Sequence, residues 1–423
     1  MAGIAVAGVA ATRQARSLDG NSIQICLEAA RAALDDAGMT IDEVDGISAR
    51  WPGPGGTVFG PGSVDWTAVF GKGFDWVGDT YPQGAPGLLD AAAAILAGQC
   101  STVLVFGGRA GESAAGSPGA ATRATVPSGD DASSAAVSSG DDAMSAAVSS
   151  GDDATSAVAS YTRPENEFVA CWGSLTAAQF ALVAQVYLHR FAPDPERMAL
   201  VPATIRNAGS ANPEAVMYGR GPYEPADILA SPPVAEPFRL LDLCLATEGA
   251  AAMVVTGVER ARDCPSAPAV ILGGGSEWYR QQYVDPPRYD DVARIGAGAY
   301  RRSFGMAGLR PGDVDVFELY DICTFEVVRQ FETLGLCAEG EGVDYLAEAG
   351  IGLDGRHPTN TDGGLLAYSH VGWGGPTLKI VEAVRQIRGA AGPGQVPGAE
   401  VALVTGAGAG AQYHNAVLLG ADR

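Results

Sequence analysis

The chain echoes itself at a distance of 270 residues. Ala37 to Asp45 reads AGMTIDEVD and Ala307 to Asp315 reads AGLRPGDVD, with the Ala-Gly and Val-Asp pairs in register. Each copy follows a helical pattern and precedes an apolar strand. A second echo pairs LDAAAAILAG…STVLVFGG with VEAVRQIRG…EVALVTGAG. A helix, a strand and a Gly-rich turn thus recur in one order, which predicts a duplicated α/β unit with halves at 1–270 and 271–423.

Local signals agree with that plan. Asn21 or Ser22 caps a predicted helix through IQICLEAARAALDDA that stops at Gly38. Ile4–Val9 reads as a first strand and Leu88–Leu96 as an Ala-rich helix. Phe325–Leu334 and Leu378–Ile387 carry apolar residues at helical spacing, and VALVTGAGAGAQYHNAVLLG reads as two strands around a glycine turn. One stretch breaks the pattern. Over about 111–160, Gly-Asp-Asp-Ala begins at 129, 140 and 151, an eleven-residue period rich in Gly and Ser. It reads as a low-complexity insertion looping out of the core.

Charge and cysteine spacing narrow the function. With 27 Lys+Arg against 49 Asp+Glu the net charge is -22, which argues against nucleic acid or an anionic membrane as partner while leaving room for a local basic pocket. Seven cysteines without a C-x-x-C, and four histidines without an H-x-x-x-H, predict neither a disulfide framework nor a zinc site. No apolar run reaches membrane-spanning length and no basic signal region opens the chain, so a cytoplasmic protein is expected.

Three clusters carry the residue types chemistry needs. The first, FELYDICT, places Tyr320 and Asp321 where a strand gives way to a helix, the end of a sheet at which α/β folds bind ligands. Tyr320 also fits a buried structural tyrosine, and Asp321 a helix N-cap. The second, NTDGGLLAYSHVGWGG, sets Tyr368 and His370 in a glycine-rich loop before a helix, whose N-terminal amides can stabilise an oxyanion. The third is the Gly406-Ala407-Gly408-Ala409-Gly410 turn. No ribose-binding acid follows it, which argues against a dinucleotide site.

Together with PFRLLDLCLATEGAAAMVVTGVERARD, these stretches resemble the thiolase superfamily, in particular the sterol-carrier-protein-type thiolases and lipid-transfer thiolase-like proteins. The resemblance covers nearly the whole chain outside the insertion. It implies a fold of two similar halves in αβαβα layers, and a homodimer. It also exposes a departure. Thiolases of the degradative kind use one cysteine at the start of the Ala-rich helix and another in the C-terminal glycine turn. Here those places read Tyr81 to Gly87 and Thr405 to Gly408, without cysteine. The histidine is kept as His370. Without a thiolate the acyl-enzyme route is closed.

Tyr320-Asp321 stands where these thiolases carry a His-Asp pair. This combination looks like the steroid side-chain aldolases of the superfamily, which use tyrosines in place of the thiolase cysteines. The resemblance implies retro-aldol cleavage of a β-hydroxyacyl-CoA to a ketone and a short acyl-CoA such as propionyl-CoA. The CoA thioester is the substrate and no further cofactor is expected. It also implies a separate DUF35 (OB-fold, zinc-ribbon) partner in a heterotetramer. Expected catalytic residues are Tyr320, Tyr368 and His370, the histidine polarising the thioester carbonyl or tuning a tyrosine. Asp321, Gly406 and Gly408 are expected to bind substrate. Arg109, Arg163 and Arg206 are available for the CoA phosphates. The alternatives are a non-catalytic acyl-CoA or lipid carrier, a structural thiolase-like subunit, and an acyltransferase with an unconventional nucleophile.

Overall fold

A computed structural model describes residues 3–52, 62–79, 84–111, 176–279, 287–408 and 411–422. The expected insertion falls, apart from Gly111, outside the described residues, as do Arg163, Cys171 and Tyr81 to Gln83.

Local chemistry sets the element ends. Helix α1 (Ser22–Ala37) begins at Asn21, whose side chain accepts the Gln24 amide at 3.0 Å while the Gln24 side chain accepts the Asn21 amide. It ends at Gly38 in the left-handed conformation, φ 64°, which glycine adopts at no steric cost. The Ala-rich helix α2 is Ala85–Leu96, starting three residues before its sequence signal, with Pro86 in its first turn. Two helices, α3 (Thr176–Phe191) and α4 (Pro195–Ala211), follow later in the first half. Helices α5 (Ala297–Ala307), α6 (Thr324–Thr333) and α7 (Gly375–Ile387) belong to the second half.

Among the described residues one mixed sheet is built from β1 (Ile4–Ala11), β2 (Gly46–Ser48), β3 (Trp76–Gly78), β4 (Thr102–Arg109), β5 (Gly249–Gly257), β6 (Ala269–Trp278), β7 (Val316–Glu318), β8 (Val401–Gly408) and β9 (Tyr413–Ala421). Their order is β3-β2-β4-β5-β1-β6-β9-β8-β7. The two sets join where Ala5 pairs with Val270 and Val6 with Ala269. On each side of that seam the pattern is the same. β2 runs parallel to β4 as β7 does to β8, and β4 is antiparallel to β5 as β8 is to β9. Short turns at Ile41–Glu43 and Pro311–Asp313 precede β2 and β7, each at the 270-residue offset of the sequence echo. The 270/271 boundary read from sequence falls within β6, the first strand of the second set.

Helices α2 and α7 lie between the sets: α2 packs on β4, β5, β8 and β9, and α7 on β1, β5 and β8. Helix α1 covers β1, β4 and β5 on one outside, and α5 covers β6 and β9 on the other. This is the αβαβα layering. The first turns of α2 and α7 meet, because Gly84 (φ 82°) has no Cβ; one built there would lie 2.7 Å from the Pro376 Cβ. Continuous apolar runs such as VLVFGG are buried on both faces, since helices cover both sides of the sheet.

Candidate functional site

The site forms where β7 and β8 end near the loop before α7. Tyr320 follows β7 and is pinned through its backbone. Its N–H donates to Thr405 Oγ1 (2.9 Å), the Thr405 hydroxyl donates to Gln330 Oε1 (2.5 Å), and Gln330 Nε2 donates back to the Tyr320 carbonyl (3.0 Å). This closed ring ties the β7 end to β8 and to α6. The Tyr320 ring is buried, in the same apolar cluster as Cys244, Leu365, Ala407 and Ala411.

The next residue is committed to the protein itself. Asp321 Oδ1 accepts the Leu365 amide (3.0 Å) and Oδ2 the Leu366 amide (3.3 Å), while Lys379 Nζ lies 3.2 Å from Oδ1. Asp362 Oδ1 accepts the Gly364 amide at 2.7 Å. The carboxylates thus hold a π-helical turn, Gly364–Tyr368, onto α7. The sequence offered Asp321 either a helix-cap or a substrate role; the geometry makes it a positioning residue for this turn, and Cys323 takes the N-cap position of α6. Lys379 also lies 3.3 Å from Glu318. Burial pulls the Lys379 ammonium down, but Asp321, Glu318 and Asp362 outweigh it and hold it above its ordinary value. Burial pushes the Glu318 and Asp362 carboxyls up, and burial with the Asp362 charge pushes Glu382 up to about 8.

His370 is fixed by a second polar chain. Its backbone N–H donates to Thr247 Oγ1 (2.8 Å), which stands 2.8 Å from Ser369 Oγ; Ser369 donates to Gln14 Oε1 (2.7 Å). Residues of both halves therefore hold the loop. The imidazole is buried, with Cys244 Sγ 3.9 Å from Nδ1. Burial first, and Arg109 second, drive its pKa down to about 3, so the ring is neutral at ordinary pH. The segment Leu243–Thr247 links the two parts of the site: the Cys244 amide donates to the Ile322 carbonyl, the Leu245 amide to the Leu365 carbonyl, and Thr247 holds His370. Sequence reading treats this stretch only as part of the resemblance, because its role is carried by backbone groups.

A cavity of about 180 Å³ lies along this segment, lined by Arg206, Met217, Leu243, Cys244 and Thr247 among others. Arg206 is buried and donates to the Leu241 and Leu243 carbonyls, and Arg109 to the Thr247 carbonyl. Both arginines brace the site from inside rather than standing on an open surface for phosphate.

The remaining expected residues divide. Gly406 and Gly408 lie on β8; a Cβ at Gly408 would strike the Tyr413 ring, so close packing of the β8–β9 hairpin requires this glycine. Tyr320 and Tyr368 fall in different apolar clusters. Tyr368 belongs to the cluster between the two sets of strands, with Ala215, Val371 and Leu378, and its charged neighbours include Arg385 and Glu214. Burial raises its phenol above the ordinary range, so the phenol stays protonated. No described cysteine offers a thiolate. Burial and Asp321 push Cys244 up to about 12, and burial also raises Cys26 and Cys323.

Comparison with known proteins agrees with this architecture. Residues 289–421 match the family described as Thiolase C-terminal domain-like. The chain is 38% identical over 267 residues (62% of this chain, 67% of the relative) to the 17-hydroxy-3-oxo-4-pregnene-20-carboxyl-CoA lyase of Mycobacterium tuberculosis. It is 36% identical over 267 residues to the steroid side-chain-cleaving aldolase of Thermomonospora curvata, covering 60% of this chain and 64% of that relative. Among solved structures, an "Ltp2-ChsH2(DUF35) aldolase" superposes with a TM-score of 0.73 at 26% identity over 100% of this chain and 98% of that one. Human mitochondrial 3-ketoacyl-CoA thiolase superposes at 0.64 with 14% identity over 100% of this chain and 99% of that one, a likeness of fold alone. With its layered halves and these relatives, the chain belongs to the thiolase superfamily, in its sterol-carrier-protein-2-thiolase-like branch.

Proposed function

We propose that this protein is an aldolase that cleaves a β-hydroxyacyl-CoA, its acyl part a steroid side chain, into a ketone and a short acyl-CoA such as propionyl-CoA. The observation that carries the reading is a neutral, buried His370 beside Cys244, a thiol held protonated in the same apolar cluster as Tyr320. Such a site lacks the means for an acyl-enzyme and keeps the means for proton transfer. The names of the two relatives above supply the steroid substrate class.

In a retro-aldol step the β-hydroxyl loses its proton as the Cα–Cβ bond breaks. The bonding pair passes into a thioester enolate, and an acid then protonates Cα. The neutral His370 ring keeps a lone pair on one of its nitrogens. His370 serves as acceptor of the β-hydroxyl proton, in place of the carbonyl-polarising role expected from sequence. Tyr320 then serves as the acid toward the enolate carbon. Tyr368, inside the π-helical turn two residues before His370, acts by positioning that loop.

The protein works as a homodimer with a separate DUF35 protein in a heterotetramer. The likeness to the Ltp2-ChsH2(DUF35) aldolase, a structure whose name includes such a partner, supports this. The test is incubation of a steroid β-hydroxyacyl-CoA with the chain and a DUF35 partner, following ketone and short acyl-CoA by mass spectrometry. Equimolar formation of both products is expected. Tight binding without cleavage would replace this reading with that of an acyl-CoA carrier.

A further inference from the structure

We propose that Arg206 is a catalytic residue of this site, its guanidinium holding the thioester oxygen of the substrate as the enolate forms. The proposal rests on the aldolase reading. In that reading His370 takes the hydroxyl proton and Tyr320 supplies the Cα proton. The charge that builds on the thioester oxygen calls for a third group.

Arg206, on α4, lines the 180 Å³ cavity together with the segment that carries the site. Two residues of the cavity wall belong to the site directly. Cys244 lies 3.9 Å from His370 Nδ1 and shares the apolar cluster of Tyr320, and Thr247 Oγ1 accepts the His370 amide. A thioester in this cavity therefore lies along the wall that positions His370.

The cavity is basic in a chain of net charge -22. Of the described residues that line it, the charged ones are the exposed Arg16 and the buried Arg206, with no acid among them. Arg206 forms no ion pair with any carboxylate of the described residues. The acids that act on it from a distance are committed elsewhere: Asp242 to the Thr324 hydroxyl, and Asp321 to the Leu365 and Leu366 amides and Lys379. Burial pulls the guanidinium down to about 10, which leaves it charged at ordinary pH. A buried charge without a counter-charge is costly, and an oxyanion supplied by a ligand offsets that cost.

The geometry also limits what the ligand offers. Arg206 Nε donates to the Leu241 carbonyl and Nη2 to the Leu243 carbonyl, both at 2.9 Å, which leaves Nη1 unpartnered among the described residues. Two of the three nitrogens brace the segment, so the two-point grip that arginine gives a carboxylate or phosphate is already spent. One nitrogen suits one oxygen. Met217, Leu241 and Leu245 make the surroundings apolar, where a fixed charge acts more strongly than in water.

The experiment measures dissociation constants of propionyl-CoA and of S-propyl-CoA, which has CH2 in place of the carbonyl, for wild type, Arg206→Gln and Arg206→Met, together with thermal midpoints. Wild type is expected to bind the thioester tighter by roughly tenfold or more, as a hydrogen bond from a charged donor gives, and both variants to lose that preference. Bracing of the segment alone would lower the midpoints and leave the ratio of the two constants unchanged. Equal affinities in wild type, a comparison that needs no variant to fold, or a preference kept in the variants would overturn the proposal. The aldolase reading is judged separately, by whether wild type cleaves a steroid β-hydroxyacyl-CoA.

Discussion

Thr405 and Tyr320 are joined through one hydroxyl: Thr405 Oγ1 accepts the Tyr320 amide at 2.9 Å and passes its own proton to Gln330 at 2.5 Å. Thr405 opens the stretch, Thr405 to Gly408, in which the resemblance puts a thiolase cysteine, and its hydroxyl anchors the tyrosine backbone. Thr405→Val keeps the shape, removes the acceptor of the Tyr320 N–H and leaves Gln330 Oε1 only the longer bond from the Tyr300 hydroxyl (3.4 Å). A loss of about 1–3 kcal/mol in unfolding free energy is expected by urea titration. The turnover number should fall while substrate affinity stays close to wild type.

The two tyrosines separate by substitution. Tyr320→Phe is expected to lower the cleavage rate by about 10²-fold or more with unchanged binding, as loss of a positioned acid does. Tyr368→Phe keeps the ring that packs on Val371 and Leu378 and should stay within about tenfold of wild type. Single-turnover assays on both variants check this, and the reverse order would exchange their roles.

The carboxylate under the π-helical turn gives a stability prediction. Asp321→Ala strips the Leu365 and Leu366 amides of their acceptor and leaves Lys379 with Glu318 as its near counter-charge. Breaking a buried pair from one side costs about 3–5 kcal/mol. Chemical denaturation should show a loss of that order, and proteolysis should begin near Gly364–Tyr368.

The buried acids also set a pH dependence. The Glu382 carboxyl is raised from 4.5 to about 8 in the folded chain. Between those values the folded state holds a proton that the unfolded state has released, so this group's contribution to stability is complete below about pH 4.5 and is lost as pH rises toward 8. His370, lowered from 6.5 to about 3, runs the other way: its contribution is lost as pH falls from 6.5 toward 3. Comparing Glu382→Gln with wild type isolates the first effect. The variant should be the more stable at pH 8, with the difference vanishing near pH 4–5, as denaturation midpoints across that range will show.

Much of this architecture is legible in the residues because it follows from local rules. The Asn21 cap, the Gly38 stop and the 270-residue echo each rest on short-range chemistry, and each has its counterpart in the fold. The position of Tyr320 at a strand end is readable for the same reason. What stays hidden depends on long-range placement. Tyr368 and His370 are two residues apart, but the π-helical turn sends the tyrosine ring between the sheets while His370 sits against Cys244. Asp321 reads as a cap or a ligand until Leu365 and Leu366, more than forty positions on, are seen to donate to it.

The sheet order carries a consequence for how the chain is made. Strand β1 lies between β5 and β6, so Val6 waits for Val255 and Ala269 before its edges are covered. A ribosome adds about 5–20 residues per second, so the first strand emerges on the order of ten seconds or more before its neighbours exist. Throughout that interval IAVAGVAA is an unpaired apolar strand on a growing chain, the kind of surface that chaperones bind and that aggregates form on.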